Sequence, residues 1–512
     1  MKWFDNAVVY QIYPLGYCGV PRRNPFRPAP PDGEGKILRV IDHLPELKKM
    51  GFNTVLFNPV FESTAHGYDT VDFMTIDKRL GSKKDFKAVC DALHANGFRI
   101  VLDAVFNHVG RDFQYFKDVR EHKFASQYKD WFHIREGNSN DNDGFYYEGW
   151  EGHYDLVKLN LFNPAVKEHI FKAVESWADD YDIDGLRLDV AYSLDQGFLK
   201  ELRVHCKGMK EDFWLMGETL HGDYNTWMNP EMLDSVTNYE CYKGLYSSFN
   251  DLNMYEIAYS LGNRQFGPGG LYQGKQLYCF ADNHDVTRIA SILKDLRHIE
   301  ALHVLLFTMP GIPGIYYGSE YGLAGDKKEG DEVLRPEFVP GTLKETGLTK
   351  TIAKLTQAHA TLKPLYSGDY QQLVLNNQYF AFSRSCDNDT VYILINAGSY
   401  TQGFRLGGSG HYKDVLSGEF FDISDNIDVP AFQARVLYDF SCNFEIKPDR
   451  EAVPSESLEV KVSIQPEIAP IRDEPAQPQT EAEKPDDSIA EILQTIYRNI
   501  KVIAEKLNIP LE

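Results

Sequence analysis

Short apolar runs rich in β-branched and aromatic residues alternate with longer helical stretches from the start of the chain to about residue 360. The runs fall at residues 8–14, 54–59, 98–106, 185–191, 213–218, 235–239, 276–282 and 311–318. Continuous apolar strands separated by helices predict a parallel sheet buried on both faces. Helices are expected at 37–50, 83–96 and 165–181, the first stopping at Gly51 and the second at Gly97. Eight such repeats predict a (β/α)8 barrel. A doubly wound open sheet would need a Gly-rich phosphate loop after the first strand, and Tyr13-Pro14-Leu15-Gly16-Tyr17 is not one.

The alternation breaks between residues 109 and 158, where the chain turns polar and aromatic with a turn-rich stretch at 137–144. That is too long for a βα loop, so a small inserted subdomain is expected there. The barrel would then comprise 1–108 and 159–365. Residues 366–442 change to short alternating strands, as in Tyr379-Phe380-Ala381-Phe382-Ser383, and predict an antiparallel β-sandwich. Residues 443–487 are Pro- and acid-rich without apolar periodicity and read as a disordered linker. Residues 488–509 read as an amphipathic helix. Its Ile489, Leu493, Ile496, Ile500, Ile503 and Leu507 form a heptad seam over 489–507. Such a seam suits either docking on the catalytic body or a coiled coil, where Leu or Ile at a with Ile at d favours a homo-oligomer, trimer or tetramer.

The formal charge of −22 argues against a nucleic-acid partner. The absence of any apolar run long enough to span a bilayer argues against a membrane one. The N-terminal residues lack an apolar core and a small-residue cleavage site, so no leader is expected. Seven scattered cysteines without a C-x-x-C pair remove zinc ribbons and thioredoxin-like sites, and suit buried thiols in a cytoplasmic protein.

Barrel active sites form at the C-terminal ends of the strands. The polar residues expected there are Tyr68 after strand two, and Asp103, Asn107 and His108 at the end of strand three. Strand four brings Arg187 and Asp189, strand five Glu218, and strand seven Asn283, His284 and Asp285. Arg187 and Asp189 are two apart on one strand and therefore face one side, which is the interior if Leu186 and Leu188 face the helices. A structural ion pair would explain two charges. Acids closing three separate strands suit glycoside hydrolysis, which needs one ionised carboxylate and one protonated carboxyl. Arg187 is expected to keep the nucleophile ionised, and crowding to keep the acid protonated. Metal-assisted hydrolysis would want clustered His ligands, and strand one supplies none.

These motifs resemble the conserved regions of the α-amylase family, glycoside hydrolase family 13. Asp103-Ala-Val-Phe-Asn107-His108 looks like the first, Gly185-Leu-Arg187-Leu-Asp189 the second, Gly217-Glu218 the third, and Phe280-Ala-Asp-Asn283-His284-Asp285 the fourth. Gly311-Ile-Pro-Gly-Ile-Tyr-Tyr-Gly318 matches its strand-eight signature, and the likeness covers about residues 3–440. The resemblance implies Asp189 as nucleophile, Glu218 as general acid/base and Asp285 as stabiliser of the transition state. It implies sugar contacts from Tyr68, His108, Arg187, Asn283 and His284, with Asp103 and Asn107 supporting them. Val157-Lys158-Leu159-Asn160 is similar to a motif of the neopullulanase, cyclomaltodextrinase and maltogenic amylase group, with Val157 in place of its proline; Lys158 and Trp150 would then also bind substrate. That group usually carries an N-terminal β-domain, whereas strand one here begins almost at Met1. A typical α-amylase has Lys-His three and four residues after the nucleophile, where this chain has Tyr192-Ser193.

The expected activity is retaining cleavage of α-1,4 links in maltooligosaccharides or cyclodextrins, with α-1,6 tolerance and transfer. The alternatives are an α-amylase on starch, a trehalose-forming isomerase or phosphorylase, and a non-catalytic glucan binder. No cofactor is required by this reading. Calcium, which wants six to eight oxygens, is not supported by Asn107 alone.

Overall fold

The computed structural model describes residues 2–138, 141–406, 410–423 and 426–439. The linker and heptad-helix expectations, and the last residues of the C-terminal domain, lie outside the described residues.

Eight parallel strands form one sheet: β1 (Val9–Ile12), β2 (Thr54–Phe57), β3 (Arg99–Ala104), β4 (Gly185–Leu188), β5 (Trp214–Gly217), β6 (Ser235–Val236), β7 (Tyr278–Phe280) and β8 (Ile312–Tyr316). Their order is β6-β5-β4-β3-β2-β1-β8-β7. A single parallel bridge, Thr237 to Tyr278, joins the two edges and closes the barrel. The outer layer holds α1 (Arg39–Met50), α2 (Lys83–Ala95), α3 (Pro164–Tyr181), α4 (Gln196–Met209), α5 (Tyr239–Asn250), α6 (Ile299–Thr308) and α7 (Gly347–Thr361).

Local signals fix these helices. Gly51 ends α1 at φ +94, a left-handed angle that glycine adopts without strain. Ser82 and Asp85 form a capping box at the start of α2, and Asn163 caps α3 with Pro164 in its first turn. Strand six is shorter than the sequence suggests because the Asn238 side chain accepts the Cys241 N–H and starts α5 at Tyr239. Strand four stops at Leu188 because Val190 turns left-handed at φ +40, ψ +48.

Alternation sorts the strands' side chains. Leu186 and Leu188 pack outward in the main helix-facing core. Val9, Leu56, Val101, Trp214, Met216, Tyr278, Phe280 and Ile312 fill the barrel interior with Phe4 and Ala7. Between β3 and α3, the strand Gly149–Trp150 pairs antiparallel with His153–Lys158, which in turn pairs with His108–Gly110. C-terminal to α7, six antiparallel strands form a sheet. One face of it buries Ala381, Leu394 and Leu437 against Phe404, Ile427 and Val429 of a two-stranded ribbon.

Candidate active site

Four side chains at the C-terminal ends of β3, β4 and β5 bring charge to one point. Arg187 Nη1 donates to Asp103 Oδ1 at 2.8 Å and Oδ2 at 3.0 Å, and to Asp189 Oδ1 at 2.9 Å. Its Nη2 lies 2.8 Å from Glu218 Oε1. All four side chains are buried. Asp103 also accepts from Asn58 Nδ2 and the Tyr68 hydroxyl, each at 2.9 Å, so its oxygens are fully committed to holding the cluster. Glu218 Oε2 accepts the N–H of Val190 at 3.2 Å. Left-handed backbone at a β-branched residue is strained by about 1–3 kcal/mol; here it aims that amide at the carboxylate.

Burial pushes Asp189 well above the ordinary carboxylate range, with Glu218, Asp103 and Asp285 adding to the rise and Arg187 opposing it. Arg187 does lower Asp189, as the sequence suggests, but against burial and three other acids. One guanidinium faces three acids packed around it, so its pull on Asp189 is outweighed by burial and by like charge. Asp285 goes the other way. Burial raises it, but His284, Arg335 and Arg187 outweigh burial and hold it well below the usual range. Its Oδ1 is 2.9 Å from Arg335 Nη2 and its Oδ2 is 2.9 Å from His284 Nε2. Its backbone N–H donates to Asn283 Oδ1 at 2.8 Å.

Neutral donors surround the acids. His108 is pushed down to about 3 by burial, with His66 and His153 adding to the fall. Its Nδ1 lies 3.1 Å from Asn107 Nδ2; with the amide donating, the ring proton sits on Nε2, 3.9 Å from Asp189 Oδ2. That Nε2 and the Trp150 indole nitrogen are buried donors without a protein partner. Gln11 Nε2 reaches both Asn58 Oδ1 at 2.9 Å and His284 Nδ1 at 3.1 Å, which orients the imidazole toward Asp285. Tyr68 stacks on His284 with ring centroids 5.5 Å apart, and its hydroxyl meets His284 Nε2. The loop carrying Tyr68 is fixed by buried Arg79, which donates to the carbonyls of Pro21, Arg22 and Ala65 and pairs with Asp77.

These groups open on a cavity of about 1030 Å³, lined by Tyr68, His108, Trp150, Asp189, Glu218 and Asp285 among others. Arg187, Asp103, Asn107, Asn283 and His284 stand behind that wall and act on it through the residues they bond. Lys158 is half-buried and takes no part in the wall; it sits opposite His108 in the strand register. Four cleft or supporting residues escape sequence reading. Gln11 and Asn58 occupy inward positions of their strands, so parity would have found them. Tyr239, whose hydroxyl accepts from Asn283 Nδ2 at 3.1 Å, closes the sixth apolar run and opens α5, and Arg335 comes from a loop without a periodic signal.

Calcium does not fit the donors here. Asn107 Oδ1 is a buried orphan, but the insertion's Asp141 and Asp143 are taken up by Arg111, at 2.9 Å each. Among the described residues no group of three or more His, Cys, Asp or Glu side chains is set to hold a metal. No helix among them is long and apolar enough to cross a membrane.

Residues 20–360 match the family profile described as alpha amylase, catalytic domain. A cyclomaltodextrinase from a Bacillus species is 33% identical over 440 residues, covering 81% of this chain and 75% of that protein. Neopullulanase 2 of Thermoactinomyces vulgaris is 31% identical over 441 residues, covering 82% and 74% respectively. Among solved structures, the cyclic alpha-maltosyl-(1→6)-maltose hydrolase of Arthrobacter globiformis superposes with a TM-score of 0.73 at 27% identity, covering 86% of this chain and all of that one.

Proposed function

Because the chain belongs to the α-amylase family of glycoside hydrolases, we propose that it cleaves α-1,4-glucosidic bonds of maltooligosaccharides and cyclodextrins with retention of configuration. The reading extends to tolerance of α-1,6 links and to transfer onto a second sugar. The observation that carries it is the single guanidinium of Arg187 holding Asp189 at 2.9 Å and Glu218 at 2.8 Å in the wall of one cavity. The relatives named for cyclomaltodextrin and pullulan degradation support the substrate class.

In this mechanism a carboxylate oxygen of Asp189 attacks the anomeric carbon as Glu218 passes a proton to the departing oxygen. The C–O bond to the leaving sugar breaks and an ester to Asp189 forms. Glu218, left as carboxylate, then takes a proton from water or from a sugar hydroxyl, whose oxygen displaces Asp189. Asp285, held ionised by His284 and Arg335, faces the developing positive charge. His108 Nε2–H and the Trp150 indole N–H supply unpaired donors for sugar hydroxyls. Tyr68 offers a ring face to the pyranose.

Proton NMR of the first sugar released from maltotriose tests the stereochemistry: the α anomer appears first, and a β anomer overturns the nucleophile assignment. We further place the chain in a reducing cytoplasm, supported by six described cysteines that are all unpaired. We assign self-association to the 489–507 seam. Truncation after Cys442 is expected to leave a folded enzyme with fewer subunits by light scattering, and an unchanged subunit number overturns the coiled-coil reading.

A further inference from the structure

The hairpin made by Gly149–Trp150 and the strand beginning at His153 turns at Glu151 and Gly152, whose φ angles are +48 and +89. Two consecutive left-handed residues make the tight turn that matches strand twist, which throws the tip outward as a rigid finger. The finger's tip meets the barrel. Glu151 Oε1 accepts a hydrogen bond of 3.1 Å from the hydroxyl of Tyr192. Tyr192 sits in the 3-10 turn Ala191–Ser193, directly after the left-handed Val190. The same kink that aims the Val190 amide at Glu218 therefore swings Tyr192 up to meet the finger.

Which side of the cleft this contact spans follows from the barrel. The group that protonates the departing oxygen stands beside the departing sugar. Glu218 has that role, and Leu220, two residues on, lines the cavity with Tyr192. In an eight-stranded barrel β4 faces β8 and β5 faces β1, so Arg335 and Tyr13 line the opposite wall.

We propose that the Tyr192–Glu151 hydrogen bond bridges the leaving-group side of the cleft and sets which glucans the enzyme takes, admitting short chains and small rings and disfavouring long chains. This rests on the α-glucan hydrolase reading above. Glu151 is exposed at a hairpin tip, and Tyr192 is half-buried in a loop. The bond joins the insertion to the barrel loop that follows Asp189. A long chain running out of the leaving-group side must pass beneath this bond or break it. A short leaving group fits within the cavity.

Initial rates on soluble starch and on maltotriose decide the matter in four variants of the full chain. Tyr192→Phe keeps the ring and loses the hydroxyl; Glu151→Ala loses the acceptor. Each is expected to raise the starch-to-maltotriose rate ratio by about fivefold, the size one solvent-exposed hydrogen bond commands. The double variant should rise no further, because both changes remove one bond. Glu151→Gln keeps a side-chain carbonyl for the hydroxyl and should return the ratio to that of the unsubstituted chain. A general loosening of the fold would lower the Tm and leave the ratio alone. Ratios unchanged in both single variants, or effects that add in the double, overturn the bridge. An unsubstituted chain that releases no sugar from either substrate overturns the bridge and the hydrolase reading together; activity with a fixed ratio overturns the bridge alone.

Discussion

The two ends of the barrel interior are built on opposite principles. At the N-terminal end Val9, Leu56, Val101, Trp214 and Ile312 interlock without a charge among them. Two residues beyond Val9, Leu56 and Val101 stand Gln11, Asn58 and Asp103, with Arg187 on β4 and Glu218 just past β5 beside them, all buried. Apolar side chains at the first end are stabilised simply by leaving water. At the second, each charge is desolvated and only partly compensated. The same strands thus carry a region that holds the fold together and a region that strains it, separated by one pleat.

Substitutions should expose that division. Asp189→Asn is expected to lower kcat by several orders of magnitude, as loss of a nucleophile does. It should leave the Tm equal or raised at neutral pH, since a buried acid pushed upward destabilises the native state once pH exceeds its unfolded value. A fall in Tm like that of a core deletion would erase the contrast. Trp214→Ala at the other end should show the converse: a loss of about 3–5 kcal/mol in stability, with kcat per folded molecule preserved. Calorimetry and active-site titration separate the two.

A smaller effect belongs to pH. His108 is buried neutral, with its folded value pushed down to about 3. The unfolded chain binds a proton there first, so stability is full above the ordinary histidine range and falls as pH drops toward 3. His108→Gln should flatten that part of the stability curve in acid-unfolding experiments. The smallest expected effect is none. With Arg111 occupying Asp141 and Asp143, prolonged chelation should leave the Tm where it was; a marked fall would mean the insertion is held by a metal.

Most of the barrel was legible because buried parallel strands must be apolar throughout and its helices carry their own stop signals, Gly51 and Ser82 among them. The acids and Arg187 were legible through strand ends and alternation. Three things were not. Asp189's charge depends on how many acids one guanidinium faces, which only three dimensions reveal. Arg335 reaches Asp285 from a loop after β8 with no periodic pattern. Tyr192 was visible only as a departure from the resembling motif, and its partner Glu151 lies 41 residues away in the chain.

The closure between β6 and β7 consists of one bridge, Thr237 to Tyr278. Thr237 Oγ1 also accepts the N–H of Thr219 and donates to its carbonyl, both at 2.9 Å, immediately after Glu218. A cylinder stitched once along one side tears there first. Amide exchange should therefore begin along that seam, and the tear would carry the Glu218 backbone with it. Heat would then silence the enzyme while most of its helices were still wound.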